Sequence, residues 1–220
     1  MNKKELTNKE AYTFEDLVAI MKLLRAPDGC PWDREQDHKS IRKNFIEETY
    51  EVCEAIDTDD SELLCEELGD VLLQVVFHAE MSSEAGEFDV GDVITGVCKK
   101  LVHRHPHIFA EVSADTSEEV LKNWEAIKKE EKGRNSISEV LAGVCTSLPA
   151  LMKMQKLIKK SRQNGYMGEF AAPSGLSENE VKVARELFRV CKMADELSVD
   201  AEEVLDKAAG EYTKNAGKSE

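Results

Sequence analysis

The stretch ELLCEELGDVLLQVVFHAEM, residues 62–81, decides the fold of this chain. When its residues are placed at about 100° intervals around a helix axis, apolar side chains cover nearly the whole circumference, as in a buried helix. Four polar side chains nevertheless share an arc of about 80°, and they are Glu67, Asp70, Gln74 and His78. We therefore predict a buried helix over about residues 62–85 that carries a polar stripe with two carboxylates.

A second acidic pattern precedes this helix. The sequence EETYE occupies residues 47–51 of a predicted helix that runs from about Ser40 to Asp57. The expected buried stripe of that helix consists of Ile41, Phe45, Val52 and Ile56. Glu48 falls about 20° from the edge of the stripe and Glu51 about 60° beyond Glu48, whereas Glu47 points partly away. One carboxylate therefore borders the core, and its neighbour one turn later lies beside it.

The rest of the chain also favours helices. No segment shows the sustained alternation of a half-buried strand, and glycine, proline and aromatic residues are few. We therefore predict an all-α fold, a helical bundle followed by a helical C-terminal extension. Thr13 and Asp16 are expected to cap the first helix. Further helices are expected at about 14–26, 88–103, 117–133, 148–163, 178–197 and 201–215, with loops at 30–38 and 165–177.

Composition restricts the classes of partner. The 220 residues include 44 Asp and Glu against 29 Lys and Arg, for a formal net charge of -15. Such a chain does not offer the cationic surface that nucleic acids and anionic membranes require. No apolar run approaches the roughly 18 residues of a membrane span, and no secretion signal opens the chain. The six cysteines form no C-x-x-C pair, so we expect reduced, mostly buried thiols in a cytoplasmic protein.

The two acidic patterns together point to a metal ion. Burying one unpaired carboxylate costs several kcal/mol, and two facing pairs repel each other unless a cation lies between them. Oxygen ligands favour Mg²⁺ or Mn²⁺ over zinc. Two other interpretations remain open: Lys or Arg partners on a solvated face would neutralise the acids, and a di-iron bundle also collects carboxylates. A di-iron bundle requires Glu-x-x-His motifs, and neither acidic helix has one.

These residues resemble the signature of the MazG family of all-α nucleoside triphosphate pyrophosphohydrolases. That signature is Glu-Glu-x-x-Glu followed after a gap by Glu-x-x-Asp, and it reads EETYE at 47–51 and ELGD at 67–70. The flanking blocks also match, and they are CPWDREQDHKSI (30–41), DVLLQVVFHAE (70–80), RHPHIF (104–109), NWEAIKKEE (123–131) and SLPALMKMQKLIKK (147–160). The resemblance covers about residues 14–165 and implies a MazG-like helical bundle.

The resemblance implies Mg²⁺-dependent hydrolysis of a nucleoside triphosphate to the monophosphate and pyrophosphate, for house-cleaning or nucleotide-pool control. It makes four residues the metal ligands, with Mn²⁺ as a substitute for Mg²⁺: Glu48, Glu51, Glu67 and Asp70. The metal would clamp the phosphate oxygens and activate water. Glu47 or another nearby acid would orient or deprotonate that water.

Further positions match cationic and aromatic groups around the nucleotide in that family. They are Lys100, Arg104, Trp124 and Lys128, and the family also places the loop with Trp32 and His38 near the nucleotide. Lys100 and Arg104 lie four residues apart on one helix face, which favours a joint role at the phosphates. Trp124 would stack on the base. The alternatives are that Trp124 anchors the core, that Lys128 belongs to a solvated charge run, and that the loop only packs on the bundle.

The C-terminal part resembles the later part of a second MazG domain, over VARELFRVCKMADELSVDAEEVLDKAAGEY at residues 183–212. Aligned with the first copy, it places Lys182 at the position of Glu67 and Arg185 at the position of Asp70. Because cations replace two ligands, we expect a degenerate, non-catalytic half. An unrelated helical extension is the alternative.

These expectations define the organisation of the chain. We expect a catalytic helical domain over residues 1–135, a connecting helix and linker over 136–176, and the degenerate half over 177–220. The resemblance implies a homodimer, or a dimer of dimers, with nucleotide sites near the subunit interface. Two other functions remain open: a non-catalytic metal-binding helical scaffold or regulator, and a related pyrophosphohydrolase that acts on dUTP or phosphoribosyl-ATP.

Overall fold

A computed structural model of the chain describes three ranges of residues, 3–110, 112–133 and 136–216. The side chains of Lys129 and Lys132 also lie outside the description. Contacts between residues divide the chain into two compact units, Met1–Val120 and Leu121–Glu220. The predicted boundary after residue 135 lies outside the described residues, and the predicted three-part division stays a prediction.

The regular secondary structure of the described residues consists of α-helices alone, so the predicted all-α class is confirmed. In chain order they are α1 (Lys3–Thr7), α2 (Phe14–Arg25), α3 (Pro31–Glu35), α4 (Arg42–Asp57), α5 (Ser61–Glu84), α6 (Val90–Arg104), α7 (Pro106–Phe109), α8 (Ser117–Lys132), α9 (Ile137–Ala142), α10 (Ala150–Gln163), α11 (Glu178–Leu197) and α12 (Ala201–Ala216). The long helices occupy the predicted segments, with ends that differ by at most two residues.

Four short helices lie in segments where no helix is predicted. They are α1, α7, α9 and α3, and the last of these falls within the predicted loop at 30–38. Helices of four to six residues are too short for a periodic apolar pattern to reveal them. The start of α3 does have a local signal, because Pro31 occupies its first turn, where the missing N–H is not needed.

Helices α2, α4 and α5 enclose the core of the first unit. Helix α4 packs along α5, and α2 also packs on α5. The buried core consists of Met21, Ile41, Val76, Phe77 and Met81. Because α5 contributes three of these residues, the most apolar stretch of the sequence forms the centre of the unit.

The first turn of α2 is fixed by the predicted cap. The backbone N–H of Asp16 donates to the hydroxyl of Thr13, and the backbone N–H of Thr13 donates to the carboxylate of Asp16. Lys9 adds an ion pair, with its Nζ 2.5 and 2.6 Å from the two oxygens of the buried Asp16 carboxylate. Hydrogen bonds from Lys9 and Thr13 hold the pKa of Asp16 below its usual value, so the cap stays ionised.

Parts of α4 and α5 that the sequence predicts to be buried are exposed. Ile56 of α4 is exposed, and so are Leu68 and Leu72 of α5, with Leu68 at 51%. The prediction that α5 is buried on all sides is therefore wrong within one unit, because α2, α4 and α6 cover only part of its surface. The uncovered apolar side chains extend onto α6, where none of the described residues is buried.

Helix α10 organises the second unit by packing on α9, α11 and α12. Its Gln155 side chain donates to the backbone oxygen of Val199 and accepts from the backbone N–H of Ala201, at 2.8 and 2.7 Å. Arg162 pairs with Asp195 at 2.9 Å. These polar contacts fix the turn between α11 and α12 and the far end of the α10–α11 packing.

No helix in the described part of the chain is long and apolar enough to cross a lipid bilayer. All six cysteines lie in described segments as free thiols. Cys191 is buried, but Cys53, Cys65, Cys98 and Cys145 are exposed, so the prediction of mostly buried thiols is wrong. The first three of these exposed thiols lie on α4, α5 and α6, whose outer faces the first unit leaves uncovered.

Candidate metal centre

Three carboxylates from α4 and α5 converge in the first unit. Glu48 lies on α4, and Glu67 and Asp70 lie one turn apart on α5. One oxygen from each residue belongs to a group whose members all lie within 4.8 Å of one another. Glu67 is only 9% exposed, and the other two are partly buried. The packing of α4 along α5 therefore brings together three of the four predicted metal ligands.

This cluster is electrostatically unfavourable without a cation. Burial, a hydrogen bond with Glu51 and the charges of neighbouring acids raise the pKa of Glu48 from 4.5 to about 6. Burial and the charges of neighbouring acids also raise the pKa of Glu67. Within the described part of the chain, Glu48, Glu67 and Asp70 form no ion pair with Lys or Arg. The alternative of neutralisation by basic side chains therefore finds no support at this cluster.

Glu51, the fourth predicted ligand, lies one turn after Glu48 on α4 and is partly buried. It is not a member of the tight cluster found among the described residues. Its charge nevertheless contributes to the raised pKa of both Glu48 and Glu67. Glu47 is exposed, as expected from its direction away from the core. Glu51 therefore belongs to the site electrostatically, although its oxygens lie outside the closest group.

The donor set fits a hard divalent cation. Carboxylate oxygens are the ligands that Mg²⁺ and Mn²⁺ prefer, whereas zinc prefers histidine and cysteine. The three converging residues offer only oxygen atoms. A divalent charge at this position would replace the repulsion among the acids by attraction and so remove the cause of the raised pKa values.

The polar stripe predicted on α5 continues beyond the carboxylates. Gln74, one turn after Asp70, is 7% exposed, and its Oε1 has no hydrogen-bond partner among the described residues. One turn further, Nδ1 of His78 lies 2.8 Å from Nδ1 of His38, and the two rings stack at 5.1 Å. Burial and the nearby His38 lower the pKa of His78. The stripe thus runs from the acidic cluster to the loop that precedes α4.

The loop that contains Trp32 and His38 is fastened to α2 and α5. Arg25 of α2 pairs with Glu84 of α5 at 2.7 Å and donates to two backbone oxygens of the loop. The contact of His38 with His78 lies eight residues, about 12 Å of helix, beyond the acidic cluster. Trp32 is 55% exposed. The structure therefore holds both loop residues in the same unit as the cluster.

The predicted phosphate-binding pair lies on α6. Lys100 is exposed and Arg104 is partly buried one turn later, where Arg104 already makes contacts within the protein. Helix α6 packs on α5, so both residues belong to the unit that holds the acids. Trp124 and Lys128 lie instead in the second unit, on α8, with the Lys128 ammonium 4.2 Å from the centre of the Trp124 ring.

Two acids outside the predicted set also act on the site. The charges of Glu54 and Glu66 contribute to the raised pKa of Glu67. Both residues are exposed. Their signal in the sequence is spacing, since Glu54 lies one turn after Glu51 and Glu66 is adjacent to Glu67. Gln74 is a predicted member of the polar stripe with no predicted role, and only helix packing buries its oxygen away from any partner among the described residues.

Comparison with known proteins finds a match over the segment that contains this cluster. Residues 36–109 match the model of the MazG nucleotide pyrophosphohydrolase domain. That segment contains both acidic motifs and the α6 pair.

Relatives extend the match beyond this segment. The nucleoside triphosphate pyrophosphohydrolase/pyrophosphatase MazG of Thermotoga maritima is 38% identical over an alignment of 224 positions, gaps included, that covers 94% of this chain and 85% of that protein. The nucleoside triphosphate pyrophosphohydrolases of Escherichia coli and Mycobacterium tuberculosis are 47% and 40% identical over 68% of this chain. The matches span 57% and 45% of those two proteins. Since the similarity to the Thermotoga protein covers most of both chains, this chain belongs to the MazG family of nucleotide pyrophosphohydrolases.

Proposed function

We propose that this chain hydrolyses nucleoside triphosphates to the monophosphate and pyrophosphate at the acidic cluster of the first unit. The observation that carries the proposal is the approach of Glu48, Glu67 and Asp70 oxygens to within 4.8 Å of one another. Family membership supplies the reaction class. Mg²⁺ is the proposed cofactor, with Mn²⁺ as a substitute, and Glu51 completes the set of ligands.

A divalent cation held by these carboxylates supplies Lewis-acid stabilisation of the negative charge on the phosphate oxygens. The chain contributes ligands whose positions are set in advance, because α4 and α5 pack along each other and carry all four acids. Helices position ligands more precisely than loops do. Burial of Glu67 also strengthens electrostatic interactions at the site by lowering the local dielectric constant.

Lys100 and Arg104 are the proposed contacts to the substrate phosphates. A triphosphate carries more negative charge than one divalent cation neutralises, so further cations are needed. A guanidinium binds two phosphate oxygens at once, and an ammonium adds a point charge. Their spacing of one turn on α6 and the packing of α6 on α5 support this role.

Aromatic side chains are the proposed contacts to the base. Trp32 presents an exposed indole face on α3, and His38 is fixed by its contact with His78. Exposed rings of this kind stack on nucleobases. Trp124 and Lys128 are proposed as further nucleotide contacts on the strength of the family resemblance, and their mutual contact presents a ring beside a positive charge.

We propose a homodimer, or a dimer of dimers, with nucleotide sites near the interface. Exposed apolar side chains on α4, α5 and α6 support this assembly, and they include Ile46, Tyr50, Leu68, Leu72, Val97 and Leu101. Monomeric proteins rarely expose large apolar patches. Lys100 lies on the same helix as two of these side chains, so a partner on α6 would lie near the proposed phosphate contacts.

The second half of the chain is the proposed non-catalytic remnant, within the three-part division 1–135, 136–176 and 177–220. Lys182 and Arg185 stand on α11 at the positions that align with two ligands of the first copy. Both are exposed, and the Arg185 guanidinium lies 5.5 Å from the centre of the Phe170 ring. Two cations at ligand positions do not hold a divalent metal. A cytoplasmic location completes the proposal.

The test is a substrate panel with the purified full chain. Ribonucleoside and deoxyribonucleoside triphosphates, dUTP and phosphoribosyl-ATP are incubated with Mg²⁺ or with EDTA, and pyrophosphate and nucleotide products are measured. We expect pyrophosphate and a monophosphate in equal amounts with Mg²⁺ and neither with EDTA. Orthophosphate with a nucleoside diphosphate as the products would contradict the proposal.

Two variants connect this activity to the cluster. Asp70→Asn should reduce turnover by about a hundredfold or more, because a metal ion contributes several kcal/mol to the stabilisation of the transition state. Asp57→Asn makes the same chemical change at an exposed position of α4 and should leave turnover unchanged. Full activity of Asp70→Asn would contradict the site.

The alternative functions give different results in this panel. A metal-binding scaffold would release no pyrophosphate from any substrate. A pyrophosphohydrolase of narrower specificity would act on dUTP or on phosphoribosyl-ATP and leave the other triphosphates intact. The raised pKa of Glu48 fits each of these functions, so the products decide among them.

A further inference from the structure

A cavity of about 560 Å³ lies within the second unit, between α8, α9 and α10. Its charged lining consists of Lys122, Lys128, Lys156, Lys160 and Glu125. Four cations thus face one concave space with a single acid. This lysine cavity is positively charged, although the chain as a whole has a formal net charge of -15.

Helix α8 supplies two of the four lining lysines, and α10 supplies the other two. The sequence of that helix, ALMKMQKLIKKSRQ, contains five basic residues and no acid. Lys156 and Lys160 lie one turn apart, so both side chains face the cavity from the same side of the helix. Within the described part of the chain, neither they nor Lys122 of α8 forms an ion pair. The one acid of the lining, Glu125, lies 4.0 Å from the Lys128 ammonium.

The rest of the lining suits a ligand that is strongly anionic at one end. Gln163 and Asn164 lie one turn beyond Lys160 and add polar amide groups, although the amide nitrogen of Asn164 already donates to the backbone oxygen of Lys160. Leu121 and Val140 add apolar surface. A volume of this size lies within the range of small-molecule sites, about 300–1,000 Å³. Lysine ammonium groups bind phosphate as point charges.

We propose that the lysine cavity binds an anion that carries two or more linked phosphate groups. Lys122, Lys156 and Lys160 have no carboxylate partner among the described residues and repel one another, and a ligand with several negative charges relieves that repulsion. A single carboxylate or orthophosphate ion carries less negative charge and therefore relieves less of this repulsion. Inorganic polyphosphates and nucleoside polyphosphates share the required chemistry.

Lys128 is also a proposed nucleotide contact, but Lys122, Lys156 and Lys160 are not, so this inference does not depend on the proposed hydrolysis. The acidic cluster repels phosphates when no metal is present, whereas the lysine cavity uses only its own side chains. Binding in the presence of EDTA that is weakened by Lys156→Glu and Lys160→Glu therefore reports on the cavity, and turnover with Mg²⁺ reports on the cluster. The two proposals can fail separately.

The experiment is calorimetric titration of the full chain in EDTA with pyrophosphate, tripolyphosphate, ADP or orthophosphate. We expect at least one of the three linked phosphates to bind the chain in a saturable manner. Its affinity should be at least about tenfold higher than that of orthophosphate, since each further charged hydrogen bond adds affinity. Binding of ADP together with the inorganic ions identifies a nucleotide site, and binding of the inorganic ions alone identifies a polyphosphate site. Absence of saturable binding for all three linked phosphates would overturn the proposal.

Matched charge reversals locate the site. Lys156→Glu and Lys160→Glu should each weaken binding by about tenfold or more. Lys159→Glu makes the same change on the same helix outside the cavity, and it should weaken binding by less than about twofold. All three variants should release pyrophosphate from a triphosphate at the wild-type rate. Equal effects of the three variants on binding would overturn the proposal, and so would a parallel loss of turnover in Lys156→Glu and Lys160→Glu.

Discussion

At Glu48, burial and neighbouring acids act in one direction, since both favour the protonated carboxyl and raise its pKa to about 6. The pKa of this carboxyl is about 6 in the folded state and 4.5 in the unfolded state, so its contribution to stability is fully present when the pH is below 4.5. That contribution is lost as the pH rises through 6. In metal-free protein, Glu48→Gln should therefore increase the free energy of unfolding by about 1–2 kcal/mol near pH 7.5. Near pH 4.5 the variant and the wild type should be equally stable. Urea unfolding at the two pH values measures the difference.

Two controls accompany this comparison. Asp57→Asn removes an exposed carboxylate of α4 and should show no comparable dependence on pH. Saturating Mg²⁺ should reverse the ranking, because the cation stabilises the wild-type cluster more than the variant. An equal gain for Glu48→Gln at both pH values would show that repulsion among ionised acids is not its cause.

Glu47 allows metal binding to be separated from the handling of water. This exposed carboxylate is the proposed group that orients or deprotonates the attacking water, and it is not a proposed ligand. Glu47→Gln should lower kcat by about a hundredfold and leave the affinity for Mn²⁺ unchanged. Steady-state kinetics and metal titration on the same preparation measure both. If kcat is unaffected, another acid of the site performs this step.

At the scale of elements, Arg25 connects α2, α5 and the loop that carries the proposed base contacts. Its side chain is only 7% exposed and forms an ion pair with Glu84. The guanidinium also donates hydrogen bonds to two loop carbonyls and lies 5.4 Å from the centre of the Phe77 ring. Arg25→Met should lower the free energy of unfolding by about 2–3 kcal/mol, because two partly buried backbone oxygens lose a charged donor and Glu84 loses its ion-pair partner. It should also raise KM, since the loop with Trp32 loses its anchor.

The matched control for this change is Arg34→Met. Arg34 is exposed and bonds to one backbone oxygen, that of Pro27, at 2.8 Å. Its replacement should alter the free energy of unfolding by about 0.5 kcal/mol or less. Chemical denaturation of both variants measures the contrast. Equal destabilisation would show that Arg25 does not link the elements.

The sequence predicts the long helices well because each carries a strong local signal. The apolar periodicity of α5, the cap formed by Thr13 and Asp16, and the loop at 165–177 all follow from neighbouring residues. The helices of four to six residues cannot be predicted in this way, because so short a segment shows no periodic apolar pattern. The network around Arg25 joins residues that are up to 59 positions apart, and no local pattern reports such a contact.

At the scale of the whole molecule, the exposed apolar side chains of α4, α5 and α6 lead to a prediction about assembly. The chain should have a mass in solution of twice its 24.6 kDa, or a higher even multiple. Val97→Asp places a charge on the exposed face of α6 and should shift the mass toward the monomer, because an unpaired charge is costly at an apolar interface. Light scattering coupled to size exclusion measures the mass. A monomeric wild type would contradict the proposed assembly.

The candidate site was predictable only as far as single helices allow. Spacing on α4 and α5 placed Glu48, Glu67 and Asp70 at the edge of a core, and helix packing then brought their oxygens together. The exposure of Leu68 was not predictable, because an apolar surface that a partner covers has the same sequence pattern as the apolar core of a single chain. The placement of Trp124 in a different compact unit also depends on contacts far apart in sequence.

Titration with Mn²⁺, followed by electron paramagnetic resonance of the free ion, tests the central claim most directly. The wild-type chain should remove Mn²⁺ from solution in a saturable manner, and Mg²⁺ should compete for the same site. The double variant Glu67→Gln/Asp70→Asn, which keeps the size of both side chains, should lose this binding while its helical circular dichroism is unchanged. Unchanged Mn²⁺ binding by the double variant, or no saturable binding by the wild type, would contradict a metal centre formed by α4 and α5.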